Sequence, residues 1–263
     1  MTTLLIHSTG TAPFMWDSIP DELIPADQRL APSNLGYPPH APVARGTPVS
    51  LGEDTAHLVA QLPREGRLDV VAHSYGGLLA LELIPLLGAR LRSLFLWEPV
   101  MFGALAKEPS ADPDAIAQVH EFMGNPWFLT DTEQGGTEPW LELFIDFWNR
   151  PGSWARLPDL MRNHNLEVGW KMFQEVRSVF FSSRTFEAHP LPRVPVTLAM
   201  GERSPTGSRE TVKALGRHNP HARAVEVAGT GHMGPLTHPQ KFHAALAEHA
   251  REKSPGMMER TSS

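Results

Sequence analysis

The segment Ala72-His73-Ser74-Tyr75-Gly76 is the feature that most restricts the fold of this chain. It follows the apolar run 68–71 and precedes the apolar run 77–83, which together predict a strand, a sharp turn and a helix. Ser74 lies at the apex, with a small residue two positions away on either side. Such a turn would aim the serine hydroxyl at the N-terminus of the helix, where a developing anion is stabilised. The pattern predicts a nucleophile, and a helix-capping serine is the simpler alternative.

Apolar runs alternate with helical patterns along most of the chain, which predicts an α/β fold: a mostly parallel sheet with helices on both faces. The predicted strands cover residues 4–6, 28–31, 69–72, 91–97, 194–200 and 222–227. The alternation stops over residues 104–190, which contain no convincing strand. We therefore expect a core domain formed by residues 1–103 and 191–253, an inserted helical cap formed by residues 104–190, and a flexible tail over residues 254–263.

Helical patterns are predicted over residues 14–24, 51–62, 114–123, 138–149, 154–163, 166–181 and 236–253. The predicted cap is rich in aromatic residues, among them Trp127, Trp140, Trp148, Trp154 and Trp170. A helical insertion of this kind is typical of a lid over a pocket. Most of these aromatic side chains are expected to form the cap's own core, and a few to line the pocket.

Composition excludes several classes of function. The net charge is −6 without a basic cluster, which argues against a nucleic-acid partner. The chain has no cysteine and no histidine pair with metalloprotease spacing, so we predict neither a metal nor a cofactor. We find no signal-peptide pattern and no apolar run of the roughly 20 residues that span a bilayer. The expectation is a soluble, cytoplasmic protein that acts on a small molecule.

A serine hydroxyl needs a base within hydrogen-bond reach, and a third group that orients the base. The predicted base is His232, which follows the last predicted strand on the glycine-rich segment Gly229-Thr230-Gly231-His232. Most of the 13 histidines are expected at the surface. His73 precedes Ser74 in the turn and is expected to point away from it.

Four landmarks make the chain similar to the α/β-hydrolases over nearly its whole length. The segment His7-Ser8-Thr9-Gly10 resembles the oxyanion loop, and the pentapeptide around Ser74 resembles the nucleophile elbow. Residues 104–190 resemble the cap, and the segment that ends in His232 resembles the histidine loop. The landmarks occur in the order that the family has.

The resemblance implies a compact α/β-hydrolase that begins at the third strand of the full fold. It also implies that the backbone N–H groups of Thr9 and Tyr75 form the oxyanion hole. Ser8 departs from the pattern, because the oxyanion loop usually has glycine there. Its side chain is expected either to alter the loop or to add a hydroxyl donor.

The acid of the site also departs from the family pattern. It usually follows the strand predicted over residues 194–200, but serine occupies the aspartate position in Gly201-Glu202-Arg203-Ser204-Pro205. Some branches, including one group of haloalkane dehalogenases, carry the acid after the preceding strand, where this chain has Glu98. Glu98 is therefore the predicted acid. Glu202, a carboxylate from the cap and a dyad without an acid are the alternatives.

These residues predict a serine hydrolase in which Ser74 attacks a carbonyl, His232 accepts the proton and Glu98 orients His232. The expected substrate is an ester, or a related acyl compound, of a small to medium apolar acid. A serine nucleophile argues against epoxide hydrolase and haloalkane dehalogenase chemistry. Lactonase, thioesterase, carbon–carbon hydrolase and hydroxynitrile lyase activities are alternatives on the same fold. The alternative from another class is a non-catalytic ligand-binding protein.

Overall fold

The computed structural model describes residues 2–252, which contain a six-stranded sheet. Its strands are β1 (Thr2–Ile6), β2 (Arg29–Leu30), β3 (Leu68–His73), β4 (Leu91–Trp97), β5 (Val196–Gly201) and β6 (Arg223–Val227). Their order is β2-β1-β3-β4-β5-β6, and each neighbouring pair is parallel. The α/β fold with a parallel sheet is therefore confirmed.

The α-helices in this part of the chain are α1 (Leu51–Ala60), α2 (Tyr75–Leu87), α3 (Phe102–Leu105), α4 (Pro113–Met123), α5 (Pro126–Leu129), α6 (Glu138–Trp148), α7 (Asp159–Phe181), α8 (Thr206–His218), α9 (Gly234–Thr237) and α10 (Pro239–Glu252). The start of α1 is fixed by a capping box. Ser50 Oγ accepts from the Glu53 N–H at 3.2 Å, and the Glu53 carboxylate accepts from the Ser50 N–H at 2.8 Å. None of the described helices combines the length and hydropathy needed to cross a membrane.

The two faces of the sheet pack against different sets of helices. Leu4 and Ile6 of β1 belong to a cluster that includes residues of α2, α7 and α8, whereas Leu5 belongs to a cluster with Phe242 and Leu246 of α10. This alternation follows from the two-residue period of a strand. Because both faces are covered, most residues of β1, β3, β4 and β5 are buried. Functional groups therefore collect at the strand ends.

The helix predicted over residues 14–24 is wrong. The structure has a 3₁₀-helix at Pro13–Trp16, followed by turns. Pro20 and Pro25 explain the difference, since proline lacks a backbone N–H and its ring clashes with the preceding helical turn.

The predicted division of residues 154–181 into two helices is also wrong. A 3₁₀-helix covers Trp154–Arg156, and one 23-residue helix, α7, follows it. Asn163 and Asn165 have a low intrinsic helix propensity. The structure buries Asn165, whose Nδ2 donates to the Met161 carbonyl at 2.7 Å, so packing outweighs intrinsic propensity.

The closing helix predicted over residues 236–253 is divided at His238 into α9 and α10. Pro239 begins α10, a position where proline is favourable because its missing N–H would have no partner within the helix. Residue 253 and the predicted tail over residues 254–263 lie outside the described residues.

Candidate active site

Ser74 lies on a strained turn between β3 and α2. Its φ is 56° and its ψ is −121°, a left-handed conformation that is uncommon for a residue with a side chain. The glycines after it allow close packing: a Cβ on Gly76 would lie 2.5 Å from the carbonyl oxygens of Ile6 and His7. The small residue expected at this position is therefore required by the approach of α2 to the end of β1.

Ser74, His232 and Glu98 form a hydrogen-bonded chain. The Oγ of Ser74 lies 2.9 Å from Nε2 of His232, and Nδ1 of His232 lies 2.7 Å from Oε2 of Glu98. All three residues are buried, with 5%, 3% and 0% of their surface exposed respectively. The structure thus brings together three residues that lie far apart in the sequence, in the arrangement of a nucleophile, a base and an orienting acid.

Glu98 follows β4 with a φ of 44° and lies among hydrogen-bond donors. Oε1 accepts from the Gly201 N–H at 2.6 Å and from the Ser204 hydroxyl at 2.5 Å, and Oε2 accepts from the Ser208 hydroxyl at 2.6 Å. Burial acts to raise the pKa of Glu98. The hydrogen bond and charge of His232, with the donors at Gly201 and Ser204, outweigh burial and lower the pKa below 4.5. Glu98 is thus held as a carboxylate.

Glu202, the alternative acid, lies in a different environment. Its side chain is exposed, and Oε2 accepts from the Gly229 N–H at 2.7 Å. This contact joins the loop after β5 to the histidine loop.

Two buried side chains hold the His232 backbone in place. Nε2 of His73 and Nε1 of Trp97 donate to the His232 carbonyl at 2.9 and 3.0 Å. Burial, and then the charge of His232, lower the pKa of His73 well below 6.5, so His73 is neutral. His73 was expected only to point away from Ser74, and this role in positioning the histidine loop was missed.

Trp148 at the end of α6 stacks on His232. The ring centroids are 3.8 Å apart and the planes are inclined by 26°. An aromatic face at this distance attracts a cation, so Trp148 can stabilise the imidazolium form of His232. The sequence placed Trp148 among the cap aromatics without indicating this contact.

The oxyanion-loop residues lie beside Ser74. Thr9 and Ser74 together line two cavities. Tyr75 is the first residue of α2, where backbone N–H groups have no partner within the helix. Ser8 is buried, and its Oγ lies 3.1 Å from Oγ1 of Thr11, so its hydroxyl bonds within the loop. The oxyanion roles of the Thr9 and Tyr75 N–H groups stay predictions.

A buried ionic cluster, formed by Lys171, Asp54 and Glu175, lies behind this loop. Nζ of Lys171 is 3.0 Å from Oδ2 of Asp54 and 2.6 Å from Oε1 of Glu175. The Tyr75 hydroxyl donates to Asp54 at 2.6 Å, and the Tyr37 hydroxyl donates to Glu175 at 2.8 Å. Burial and the Asp54 charge raise the pKa of Glu175, although Lys171 opposes them.

The buried ionic cluster connects four parts of the chain. Lys171 and Glu175 belong to α7, Asp54 to α1, and Tyr75 to the start of α2. The Gly10 N–H donates to the Tyr37 hydroxyl at 3.0 Å, which extends the network to the oxyanion loop. No sequence motif signals this network, because its members come from separate segments.

Three cavities that share lining residues lie around Ser74 and His232. The inner cavity, about 30 Å³, is lined by Thr9, Ser74 and aromatic side chains: Phe102, Phe122, Phe128, Phe144, Phe147, Trp148 and Phe180. The middle cavity, about 180 Å³, is lined by both Ser74 and His232. The outer cavity, about 580 Å³, is lined by His232 and not by Ser74. Trp148 lines all three.

Within residues 2–252, one group has the spacing to hold a metal ion: Glu108, Glu187 and His218. Nε2 of His218 already lies 2.9 Å from Oε2 of Glu108. The group is separate from the residues that line the three cavities.

A model of the alpha/beta hydrolase family matches residues 3–245. No curated protein matches the sequence. The fold is similar to that of the enol-lactonase from Burkholderia xenovorans LB400, with a TM-score of 0.69 and 15% identity over 95% of this chain and 90% of that one.

Two further solved structures have the same fold. An esterase from Thermogutta terrifontis is 18% identical, with a TM-score of 0.65 over 96% of this chain and 90% of that one. An epoxide hydrolase from Vigna radiata is 14% identical, with a TM-score of 0.66 over 95% of this chain and 91% of that one. At these identities the similarity establishes the fold and leaves the chemistry to be argued from the site.

Proposed function

The chain belongs to the alpha/beta hydrolase family, and from this premise we propose that it is a serine hydrolase that cleaves an ester or related acyl bond through an acyl-enzyme. One observation carries the proposal: the hydrogen-bonded chain from Ser74 through His232 to Glu98, at 2.9 and 2.7 Å. A capping serine does not require a buried histidine at its hydroxyl, nor a buried carboxylate behind that histidine.

In the proposed acylation step, Oγ of Ser74 attacks the substrate carbonyl and Nε2 of His232 accepts its proton. Glu98 keeps Nδ1 of His232 protonated and stabilises the imidazolium that forms. The backbone N–H groups of Thr9 and Tyr75 would stabilise the oxyanion, since the second lies at a helix N-terminus. His232 then gives its proton to the leaving group.

In the deacylation step, a water molecule gives a proton to His232 and attacks the acyl-enzyme. The acid is released and Ser74 regains its proton. A carboxylate nucleophile, which epoxide hydrolase chemistry requires, is replaced here by serine. The similarity to an epoxide hydrolase therefore does not extend to this mechanism.

We assign residues 104–190 as a cap that excludes water from Ser74. Helices α4, α5, α6 and α7 lie in this segment. Aromatic residues of these helices line the inner cavity beside Ser74. An apolar, water-poor site strengthens the electrostatic interactions on which acyl transfer depends.

A fluorophosphonate probe tests the proposed nucleophile. We expect the folded protein to gain one probe adduct, located on Ser74 by peptide mass spectrometry, and Ser74→Ala to gain none. Absence of labelling in folded protein would support the non-catalytic ligand-binding alternative. A screen of short acyl esters, thioesters and lactones against the unmodified protein and Ser74→Ala then identifies the acyl compound.

A further inference from the structure

The outer cavity is cationic in a protein whose net charge is −6. Its lining includes Arg150, Arg156 and Arg203 but no carboxylate. Arg150 and Arg156 follow α6, whereas Arg203 lies on the loop after β5, so the arginines reach the cavity from both the cap and the core. Within residues 2–252, no carboxylate lies within ion-pairing distance of any of the three.

Hydrogen bonds to backbone carbonyls hold the Arg203 backbone and the Arg156 side chain beside the outer cavity. The Arg203 N–H donates to the Thr230 carbonyl at 2.8 Å, two residues before His232. A guanidinium nitrogen of Arg156 donates to the Pro151 carbonyl at 2.8 Å. Guanidinium groups that lack a protein carboxylate are free to bind a carboxylate or phosphate of a ligand.

Proton transfer decides which part of a substrate faces the arginines. In the acylation step the bond from Oγ of Ser74 to the acyl carbon forms, and the bond from that carbon to the leaving oxygen or sulfur breaks. The serine proton passes through Nε2 of His232 to the leaving atom, so the leaving group must lie on the His232 side. His232 lines the middle and outer cavities but not the inner cavity, whereas Ser74 and Thr9 line the inner and middle cavities.

The inner cavity limits the acyl group. Its volume of about 30 Å³ and its aromatic lining leave space for a short apolar chain only. The outer cavity, at about 580 Å³, accommodates a much larger group.

We propose that the substrate joins a short apolar acyl group to a leaving group that carries an anion, and that Arg150, Arg156 and Arg203 bind this anion. The inference rests on the proposed serine hydrolase mechanism. A carboxylate and a phosphate can both bind to arginine. Esters whose leaving groups carry one or the other show which anion the site prefers.

Matched acetate esters test the inference. We expect kcat/KM for 4-acetoxybenzoate to exceed that for 4-acetoxybenzamide, its neutral counterpart of the same size, by about tenfold, as one charge-assisted contact to arginine provides. 4-Acetoxyphenyl phosphate provides the phosphate arm. The triple variant Arg150→Gln, Arg156→Gln, Arg203→Gln should lower both anion-to-neutral ratios to about one.

Arg67→Gln is the matched control. Arg67 is exposed beside the first residue of β3, at the opposite end of that strand from Ser74, and its removal should leave the ratios unchanged. Hydrolysis of all three esters with ratios near one would overturn the inference and leave the proposed function intact.

A binding measurement on a variant without the nucleophile tests the arginine site independently of ester hydrolysis. Calorimetric titration of Ser74→Ala with 4-hydroxybenzoate and 4-hydroxybenzamide should give tighter binding of the anion, and the triple arginine substitution should remove the difference. If none of the esters is hydrolysed but the anion still binds more tightly than the amide, the result counts against the proposed function and not against the arginine site. Equal binding of the two compounds would overturn the inference.

Discussion

The hydroxyl of Ser204 donates a 2.5 Å hydrogen bond to Oε1 of Glu98. Ser204 occupies the position where the family usually has its acid, and here it supports a carboxylate from the neighbouring strand instead. Strands β4 and β5 pair directly, with Trp97 opposite Ala199, so their carboxyl ends lie side by side. An acid after either strand would therefore lie close to His232.

Glu98→Gln tests whether Glu98 is the acid that orients His232. A glutamine keeps the size of the side chain but cannot stabilise an imidazolium, and we expect kcat to fall by about 10³- to 10⁴-fold. Glu202→Gln is the matched control and should change kcat by less than about threefold, because Glu202 is exposed and bonds to Gly229. Steady-state kinetics with the best substrate from the ester screen measure both variants. A large loss of kcat in Glu202→Gln with little change in Glu98→Gln would show that Glu202 is the acid.

The lowered pKa of Glu98 predicts a pH-dependent contribution to stability. Since the pKa in the folded protein lies below 4.5, the ionised carboxylate stabilises the fold above about pH 4.5. That stabilisation is lost as the pH falls through the folded pKa. The difference in the free energy of unfolding between the unmodified protein and Glu98→Gln should be constant from pH 7 to about 5 and decrease below that. A difference that increases as the pH falls would contradict the prediction.

The stack of Trp148 on His232 predicts a contribution to turnover. If the indole face stabilises the imidazolium in the transition state, Trp148→Leu should lower kcat by about 3- to 30-fold, which corresponds to a cation–π interaction. Trp148→Phe keeps an aromatic face and should retain most of the activity. Trp148 also lines all three cavities, so kcat and KM are measured separately. Equal kcat values for the two variants would mean that the tryptophan only fills space.

The buried ionic cluster predicts a large effect of one substitution on stability. Lys171→Met leaves Asp54 and Glu175 as neighbouring buried carboxylates, which should cost about 3–5 kcal/mol in the free energy of unfolding. Lys213→Met, at an exposed position of α8, should change it by less than about 0.5 kcal/mol.

A triple variant distinguishes lost charge balance from lost packing in this cluster. Adding Asp54→Asn and Glu175→Gln to Lys171→Met removes the unpaired charges and should recover much of the stability. Denaturant unfolding measures all variants. If the triple variant is no more stable than Lys171→Met, packing rather than charge accounts for the loss.

The positions of the three site residues at strand ends could be predicted from the sequence, because strands are recognised from local patterns of apolar residues. Ser74 and Glu98 follow apolar runs, and His232 follows the alternating strand predicted over residues 222–227. Parallel strands bring their carboxyl ends to one edge of a sheet. The sequence therefore placed these residues together without side-chain detail.

The buried ionic cluster could not be predicted in this way. Lys171 is 117 residues from Asp54, and Tyr37 is 138 residues from Glu175. Only the docking of α7 on the core brings these side chains together. The errors in helix boundaries have a similar origin, since burial of residues such as Asn165 outweighs their local propensity.

The close approach of α2 to β1 predicts that alanine has opposite effects at Gly76 in α2 and at Gly216 in α8. A Cβ on Gly76 would lie 2.5 Å from two backbone carbonyl oxygens at the end of β1, so Gly76→Ala must push α2 away from the oxyanion loop. We expect a loss of about 1–3 kcal/mol in the free energy of unfolding and a lower kcat. Gly216→Ala in α8, where the nearest atom is 3.9 Å away, should instead stabilise by about 0.5–1 kcal/mol. If Gly76→Ala were as stable and active as Gly216→Ala, close packing of α2 on β1 would not be what positions Thr9 beside Ser74.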